Sequence, residues 1–431
     1  MIRVESLDQA GRGIAHAAGK VIFIEGALPG ETVTYTSIHD KRSFEIARVE
    51  AIVEPSASRV VPRCRHFGMC GGCSLQHLDI SAQVAVKQRV LEDNLWHIGK
   101  VRPGTILPAI YGQSWGYRHR ARFSARYVAK KNGVLIGFRE KRSSHVAEMT
   151  GCEVVPRRIS ALLTPLRKLI GALSIRDRVP QLELAIGEGV DLLVLRALQP
   201  PTMEDAQLLQ QFSDQYHVQF FLQLHGPESA TPFYPLKNKA LYYRLPEFGL
   251  TIDFSPTDFT QVNHTVNTVL VRCALALLDP LPGECIADMF CGLGNFSLAI
   301  ARRGSRVLGL EGNKRLVASA QSNAEINGLD GVADFLAVDL FKMDSQQLSQ
   351  LGKFDRMLID PPRDGAMELI KALTEETAPS RIVYVSCSPA TLARDAGVLV
   401  HTKHYALSAA GVINMFPHTS HIESIAVFDR Q

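Results

Sequence analysis

No apolar run in this sequence approaches the roughly 20 residues that a membrane-spanning helix needs, which excludes a helical membrane protein. The opening residues, Met1-Ile2-Arg3-Val4-Glu5, contain no apolar core of a signal peptide, so a cytoplasmic protein is expected. Internal repeats and low-complexity tracts are absent, which argues against a solenoid or a disordered linker protein. With 46% apolar and 21% charged residues, the chain is an ordinary folding sequence. Its 431 residues suffice for two to four domains.

What is present is unevenly placed. Residues 1–160 hold 24 Lys and Arg against 14 Asp and Glu; of the totals of 47 and 43, residues 161–431 therefore keep 23 against 29. The first third is basic and the remainder acidic. That favours a polyanionic partner for the N-terminal part, the alternative being a solvated basic face.

Residues 1–54 alternate short strand-like runs, such as Val21-Ile22-Phe23-Ile24 and Phe44-Glu45-Ile46-Ala47-Arg48-Val49, with glycine-marked turns. Strands at this density suggest a small OB-like β-barrel, a common RNA-binding scaffold. Pro55-Ser56-Ala57-Ser58 is a linker. A central α+β domain is expected over 60–250. Within it, residues 81–98 form a helix with Ser81 as N-cap, and part of 81–115 packs on the following domain. Residues 251–431 form the third domain. There, strands at 285–290, 305–311, 333–339, 355–360, 381–387 and 422–428 alternate with helices at 264–278, 296–303, 314–327, 366–374 and 390–400. This rhythm implies a mostly parallel, doubly wound sheet, making the chain a multidomain α/β protein.

The eight cysteines include a tight run, Cys64-x5-Cys70-Gly71-Gly72-Cys73, followed by Cys152. Clustered thiols in a cytosolic chain indicate metal rather than disulfides. Structural zinc usually pairs two short Cys-x-Cys arms. A three-plus-one pattern favours an iron–sulfur cubane. Three cysteines and an open iron would suit a radical enzyme, but Cys152 supplies the fourth ligand here.

In the third domain, Cys285–Phe290 runs into Cys291-Gly292-Leu293-Gly294-Asn295-Phe296 and then a helix. Glycines at this turn let a ligand approach the backbone. The third glycine of a pyrophosphate loop is replaced by Ser297. Glu311 ends the second strand, where an acid can hold ribose hydroxyls. Asp339 follows the third strand, placed for an adenine edge, and Asp360-Pro361-Pro362-Arg363 ends the fourth. Together these suggest S-adenosylmethionine. Asp-Pro-Pro alone resembles enzymes that methylate an exocyclic amine, which need no covalent nucleophile.

This chain also places Cys387 at the end of the fifth strand, in Ser386-Cys387-Ser388-Pro389. The alternative is a buried structural thiol. A thiol in the cofactor cleft suits carbon methylation of a pyrimidine. Uracil carbon 5 is a poor nucleophile. Thiolate addition at carbon 6 turns it into an enolate that can attack a methyl group, after which a base removes the carbon 5 proton. Glu423, His418 and His421 are the candidate bases, and residue type does not choose among them.

Five motifs carry a resemblance over nearly the whole chain. They are Ser255-Pro256-x-x-Phe259-x-Gln261-Val262-Asn263, the Asp288–Phe296 loop, Asp360-Pro361-Pro362-Arg363, Ser386-Cys387-x-Pro389-x-Thr391-Leu392-Ala393-Arg394-Asp395, and His421-x-Glu423-Ser424. The chain resembles the RNA uracil-5-methyltransferase family. The resemblance implies Cys387 as nucleophile and Glu423 as base. It implies cofactor contacts at Gln261, Phe290, Asn295, Glu311, Asp339 and Asp360. It also implies a TRAM domain at the N-terminus, a 4Fe–4S cluster on Cys64, Cys70, Cys73 and Cys152, and a Rossmann-like methyltransferase domain. Phe67-Gly68-x-Cys70-Gly71-Gly72-Cys73-x-Leu75-Gln76-His77-Leu78 is similar to the branch that modifies large-subunit (23S) ribosomal RNA. Transfer RNA is the alternative substrate, and a non-catalytic iron–sulfur RNA-binding protein the alternative class. No obligate protein partner is evident. Tyr117–Tyr127 interleaves cations with aromatics, as single-stranded RNA binding requires. Arg118, Arg120 and Arg122 would share one strand face, with Phe123 as a stacking platform. The target base must be flipped or looped out to reach Cys387.

Overall fold

The structure is a computed structural model describing residues 1–17, 19–235 and 239–431. The N-terminal strands Ile2–Arg3, Ser6–Leu7, Gly13–Ala17, Lys20–Glu25, Thr32–Asp40 and Phe44–Glu54 form one six-stranded sheet. Lys20–Glu25 and Phe44–Glu54 run parallel; the other pairs are antiparallel. Alternation buries Ile22 and Ile24 beside Val4, Ala15, Val33 and Ala47. Arg59, just past the linker, ties back with Nε 2.5 Å and Nη2 2.8 Å from the buried Glu31 carboxylate.

A second six-stranded sheet has the order Thr231–Tyr234, Val218–Gln223, Val190–Arg196, Gln181–Gly187, Arg120–Val128, Gly133–Gly137. Helices Leu163–Ala172 and Met203–Tyr216 accompany it. The hairpin Leu241–Leu245/Leu250–Phe254 follows. It crosses the expected boundary at 250/251. Leu241, Tyr243, Leu245, Leu250 and Ile252 lie in a core that residues of the C-terminal sheet share with Ala185, Val190, Leu192 and Val194 of the central one.

The C-terminal sheet has eight strands in the order Ala333–Ala337, Arg306–Glu311, Cys285–Met289, Arg356–Ile359, Arg381–Ser386, Glu423–Arg430, Tyr405–Ile413, Thr105–Ile106. The first five are mutually parallel, as the βαβ rhythm predicts. Ile382, Val383, Tyr384 and Val385 are all buried, because a central parallel strand is covered on both faces. Each such side chain contributes about 1.5–3 kcal/mol. Tyr405–Ile413 is absent from the sequence reading. Its Ser408, Ala409, Ala410 and Gly411 have low strand propensity and only its pairing with Glu423–Arg430 defines it. Glu423–Arg430 is antiparallel to both neighbours.

The helix near residue 80 spans Ile80–Asn94 and continues as a π-helical turn, Leu95–Gly99. Its N-cap is Asp79 rather than Ser81: the Asp79 carboxylate accepts the Ser81 N–H at 2.9 Å. The turn lies so close to helix Pro389–His401 that a Cβ at Gly99 would meet the Ala393 carbonyl oxygen at 2.3 Å. Thr105–Ile106 then pairs with Ala409 and Ala410. Residues 80–106 thus pack on the C-terminal sheet.

Candidate active site

A cavity of about 540 Å³ opens at the carboxyl ends of the parallel strands. Gln261, Phe290, Asn295, Glu311, Asp339, Asp360, Cys387 and Glu423 all line it. The strand Cys285–Met289 ends at Phe290, whose φ of +66° is the left-handed region that a bulky residue takes only when held there. Its ring lies 5.6 Å from that of Phe341. Glu311 accepts the Gly292 N–H at 3.3 Å and the Asn313 N–H at 2.9 Å, which fixes the glycine turn against the second strand. Asp339 caps the turn after the third strand and pairs with Lys342 at 3.0 Å. Ser297 donates its hydroxyl to the buried Asp288, which explains a serine where a third glycine was absent.

Two residues escaped the sequence reading. Asn295 exchanges amide hydrogen bonds with Asn267, at 2.9 and 3.1 Å, and accepts the Tyr243 hydroxyl at 2.9 Å. Asn267 is one turn beyond Asn263, the N-cap of helix His264–Leu278. That i, i+4 spacing was the available signal.

Cys387 and Glu423 meet through strand register. Ser386 pairs with Ser424, so the antiparallel insertion carries Glu423 to the rim where the fifth parallel strand delivers Cys387. Burial, then the charges of Glu423 and Asp360, push the Cys387 thiol up to about 11, with Arg363 opposing. Glu423 is buried, and desolvation followed by Asp360 holds its carboxyl well above the usual range. Asp360 is itself pushed up to about 7 by burial and by Asp288.

The two histidines separate. His418 is buried away from the cavity lining, stacked 3.7 Å from the Trp115 ring, and burial pushes it down to about 4. His421 lines the cavity, with Nδ1 3.1 Å from Arg363 Nη2.

Cys64, Cys70, Cys73 and Cys152 line a single small pocket with Phe67, Phe138 and Met149. All are free thiols. Burial pushes Cys73 up to about 12 and Cys152 up to about 11. The Gly72 N–H donates to Cys70 Sγ at 3.4 Å. Among the described residues, no group of three or more Cys, His, Asp or Glu side chains is placed to hold a metal ion.

The expected RNA-contact set needs correction. Phe123 is 0% exposed and packs 5.1 Å from Phe138, because the odd positions of this strand face the core. It offers no platform to a base. Arg118 precedes the strand, which starts at Arg120, and donates to the Arg120 carbonyl at 2.9 Å. Arg120 is half-buried and donates to the Pro256 carbonyl at 2.6 Å, bridging to the segment that follows strand Leu250–Phe254. Arg122 remains outward, 3.0 Å from Glu183. It lines a groove of about 1040 Å³ between the N-terminal and central sheets, with Arg12, Arg48, Arg139, Lys141 and Arg142.

Comparison with known proteins agrees across the chain. The family described as tRNA (Uracil-5-)-methyltransferase matches residues 117–431. The 23S rRNA (uracil(1939)-C(5))-methyltransferase RlmD of Nitrosospira multiformis is 62% identical over 100% of this chain and 98% of its own. The protein of the same name from Cupriavidus pinatubonensis is 55% identical, over 100% and 96%. The crystal structure of Pyrococcus abyssi tRNA (uracil-54, C5)-methyltransferase with S-adenosyl-L-homocysteine is similar in fold. It gives a TM-score of 0.76 at 24% identity, covering 99% of this chain and 98% of that one.

Proposed function

The chain belongs to the uracil-5-methyltransferase family, and from that premise we propose that it methylates carbon 5 of a uridine in 23S ribosomal RNA. One observation carries the chemistry: Cys387 and Glu423 face one cavity, side by side across the Ser386–Ser424 register, with six candidate cofactor contacts around them. S-adenosylmethionine supplies the methyl group. Glu311 suits the ribose hydroxyls and Asp339 the adenine edge. Phe290, Asn295, Gln261 and Asp360 complete the enclosure. Cys387, once its proton has passed to solvent, adds as thiolate to carbon 6 of the uracil; carbon 5 of the resulting enolate then takes the methyl group, whose bond to the cofactor sulfur would break with its electron pair left on the departing S-adenosylhomocysteine. Glu423, buried and raised, then accepts the carbon 5 proton. The electrons of that C–H bond restore the C5=C6 double bond, and the C6–S bond breaks with its pair returning to Cys387.

The ribosomal substrate is the one that the two relatives above act on. The basic groove between the first two sheets suits an RNA backbone, with Phe67 and Phe138 available as apolar flanks. We assign residues 1–54 as the TRAM domain, 60–250 as the central domain, of which 80–106 packs on the catalytic sheet, and 251–431 as the methyltransferase domain. The donor set of the cysteine pocket fits a 4Fe–4S cluster: four soft thiols share an apolar pocket, with a backbone N–H on one sulfur. Such a cluster would supply structural order to the loop that carries it. Among the described residues, no helix is long and apolar enough to cross a membrane. As an rRNA-modifying enzyme the chain is expected to act in the cytoplasm.

The deciding experiment is methyl transfer from labelled S-adenosylmethionine to unmodified large-subunit rRNA and tRNA in parallel, with nucleosides identified by mass spectrometry. 5-Methyluridine from rRNA alone is expected. The same product from tRNA alone would overturn the substrate, and RNA binding without product would leave a binding protein.

A further inference from the structure

Residues 414–422 connect the last two strands and run directly into Glu423. Phe416, His421 and Ile422 of this loop line the cavity. At its centre, His418 has a φ of +65°, a conformation a non-glycine residue keeps only when its surroundings impose it. Those surroundings come largely from outside the catalytic sheet. The His418 carbonyl accepts the backbone N–H groups of both Ser74 and Leu75, each at 3.0 Å. The Ser420 N–H donates to Ser74 Oγ at 2.9 Å. Ser74 is the residue after Cys73, so the cysteine loop grips the base loop directly.

A second grip comes from helix Ile80–Asn94. Gln83 Oε1 accepts the His418 N–H at 2.8 Å, and Gln83 Nε2 lies 3.3 Å from the ring Nδ1. The buried Lys87 donates to Asn414 Oδ1 at 2.7 Å and to the Phe416 carbonyl at 2.9 Å. Gln83 also donates to the carbonyls of Leu75 and Leu78, so it clasps both loops at once.

We propose that Ser74 and Gln83 are positioning residues for Glu423: through Ser420 and His418, the cysteine loop and the helix behind it set where the base stands, coupling order in that loop to removal of the carbon 5 proton. This rests on the reading of Glu423 as the base. Proton removal demands placement within a fraction of an ångström, whereas Cys387 and most of the candidate cofactor contacts stand at the ends of the parallel strands rather than on the clamped loop. A loosened clamp therefore slows release of the methylated adduct more than its formation.

The test uses full-length protein, unmodified large-subunit rRNA and labelled S-adenosylmethionine under single-turnover conditions. Methyl incorporation and covalent RNA–protein species on denaturing gels are followed for wild type, Glu423→Gln, Ser74→Ala, Ser74→Thr and Gln83→Met. Glu423→Gln is expected to trap the methylated adduct. Ser74→Ala and Gln83→Met are expected to release it about ten-fold more slowly at an unchanged rate of methyl incorporation, the order of one lost hydrogen bond. Ser74→Thr, which keeps the hydroxyl, should restore release. Should Glu423→Gln trap adduct while Ser74→Ala releases it at the wild-type rate, or loses incorporation and release in equal proportion, the coupling is refuted and the base stands. Should Glu423→Gln trap nothing, the base assignment fails and the coupling with it. Ser74→Ala removes a single part-buried hydrogen bond and decides the matter even if Gln83→Met does not fold.

Discussion

The Cys387 thiol offers a direct test of the site's electrostatics. Its pKa of about 11 stands against an ordinary 9.0, the rise coming from burial first and then from Glu423 and Asp360. At pH 7.5 only about 3 in 10,000 such thiols are ionised, against about 3 in 100 ordinary ones, a hundred-fold deficit. A more basic thiolate is also more nucleophilic. With a Brønsted slope of about 0.45, two units recover roughly eight-fold. The thiolate deficit wins, leaving exchange with a small aromatic disulfide about ten-fold slower than for an ordinary thiol. The measurement is the rate of mixed-disulfide formation at Cys387, located among the eight cysteines by peptide mass, on enzyme free of RNA and cofactor. Half-burial of the sulfur lowers the rate equally at every pH, so the profile decides. The rate should climb about ten-fold per unit from pH 7 to pH 10 without levelling. A plateau near pH 8 would refute this account of the site. In the free enzyme Cys387 is then a protonated thiol at neutral pH, and its proton must leave as the uracil arrives.

Phe123→Ala should cost about 3–5 kcal/mol of stability, read from the denaturant midpoint, while the folded protein keeps its RNA affinity. Weakened RNA binding at unchanged stability would restore Phe123 to the RNA face. Asp288 is buried and pushed up to about 7, whereas the unfolded chain releases this proton near 3.8. The folded state thus binds more protons between those values, and stability falls as pH rises through them. Asp288→Asn escapes that loss, so its stability relative to wild type should rise by up to about 4 kcal/mol from pH 4 to pH 8 in urea titrations; a flat difference would contradict the assignment. Cys70→Ser should strip iron and sulfide from the purified protein along with its visible charge-transfer absorption, and unchanged iron content would remove Cys70 from the ligand set.

Local chemistry explains why much of this was legible in the chain. Parallel strands buried on both faces read as continuous apolar runs, which placed Arg381–Ser386 and its neighbours. The helix His264–Leu278 was predicted with both boundaries intact. The residues expected to touch cofactor sit at strand ends, and a doubly wound sheet gathers strand ends into one crevice. Other features had no local signature. Ser81 looks like a cap, but Asp79 lies two residues earlier and its carboxylate takes the role. Phe123 sits in a run of cations, and only the pairing of its strand with Gln181–Gly187 shows that it points inward. His418 and Glu423 are equivalent as bases on residue type. The clamp of Ser74, Gln83 and Trp115 turns His418 away from the cavity.

The sequence by itself determined the order of the five parallel strands, the candidate nucleophile and the set of thiols, because each depends on residue type and short-range periodicity. The tertiary structure decided that Glu423 and His421, but not His418, line the cavity with Cys387. Antiparallel insertion of Glu423–Arg430 beside Arg381–Ser386 aligns residues about 38 positions apart in the chain, and such a register arises from long-range backbone pairing. It likewise decided that the segment after Cys73 holds the base loop, a contact between residues 74 and 418 that no local pattern encodes.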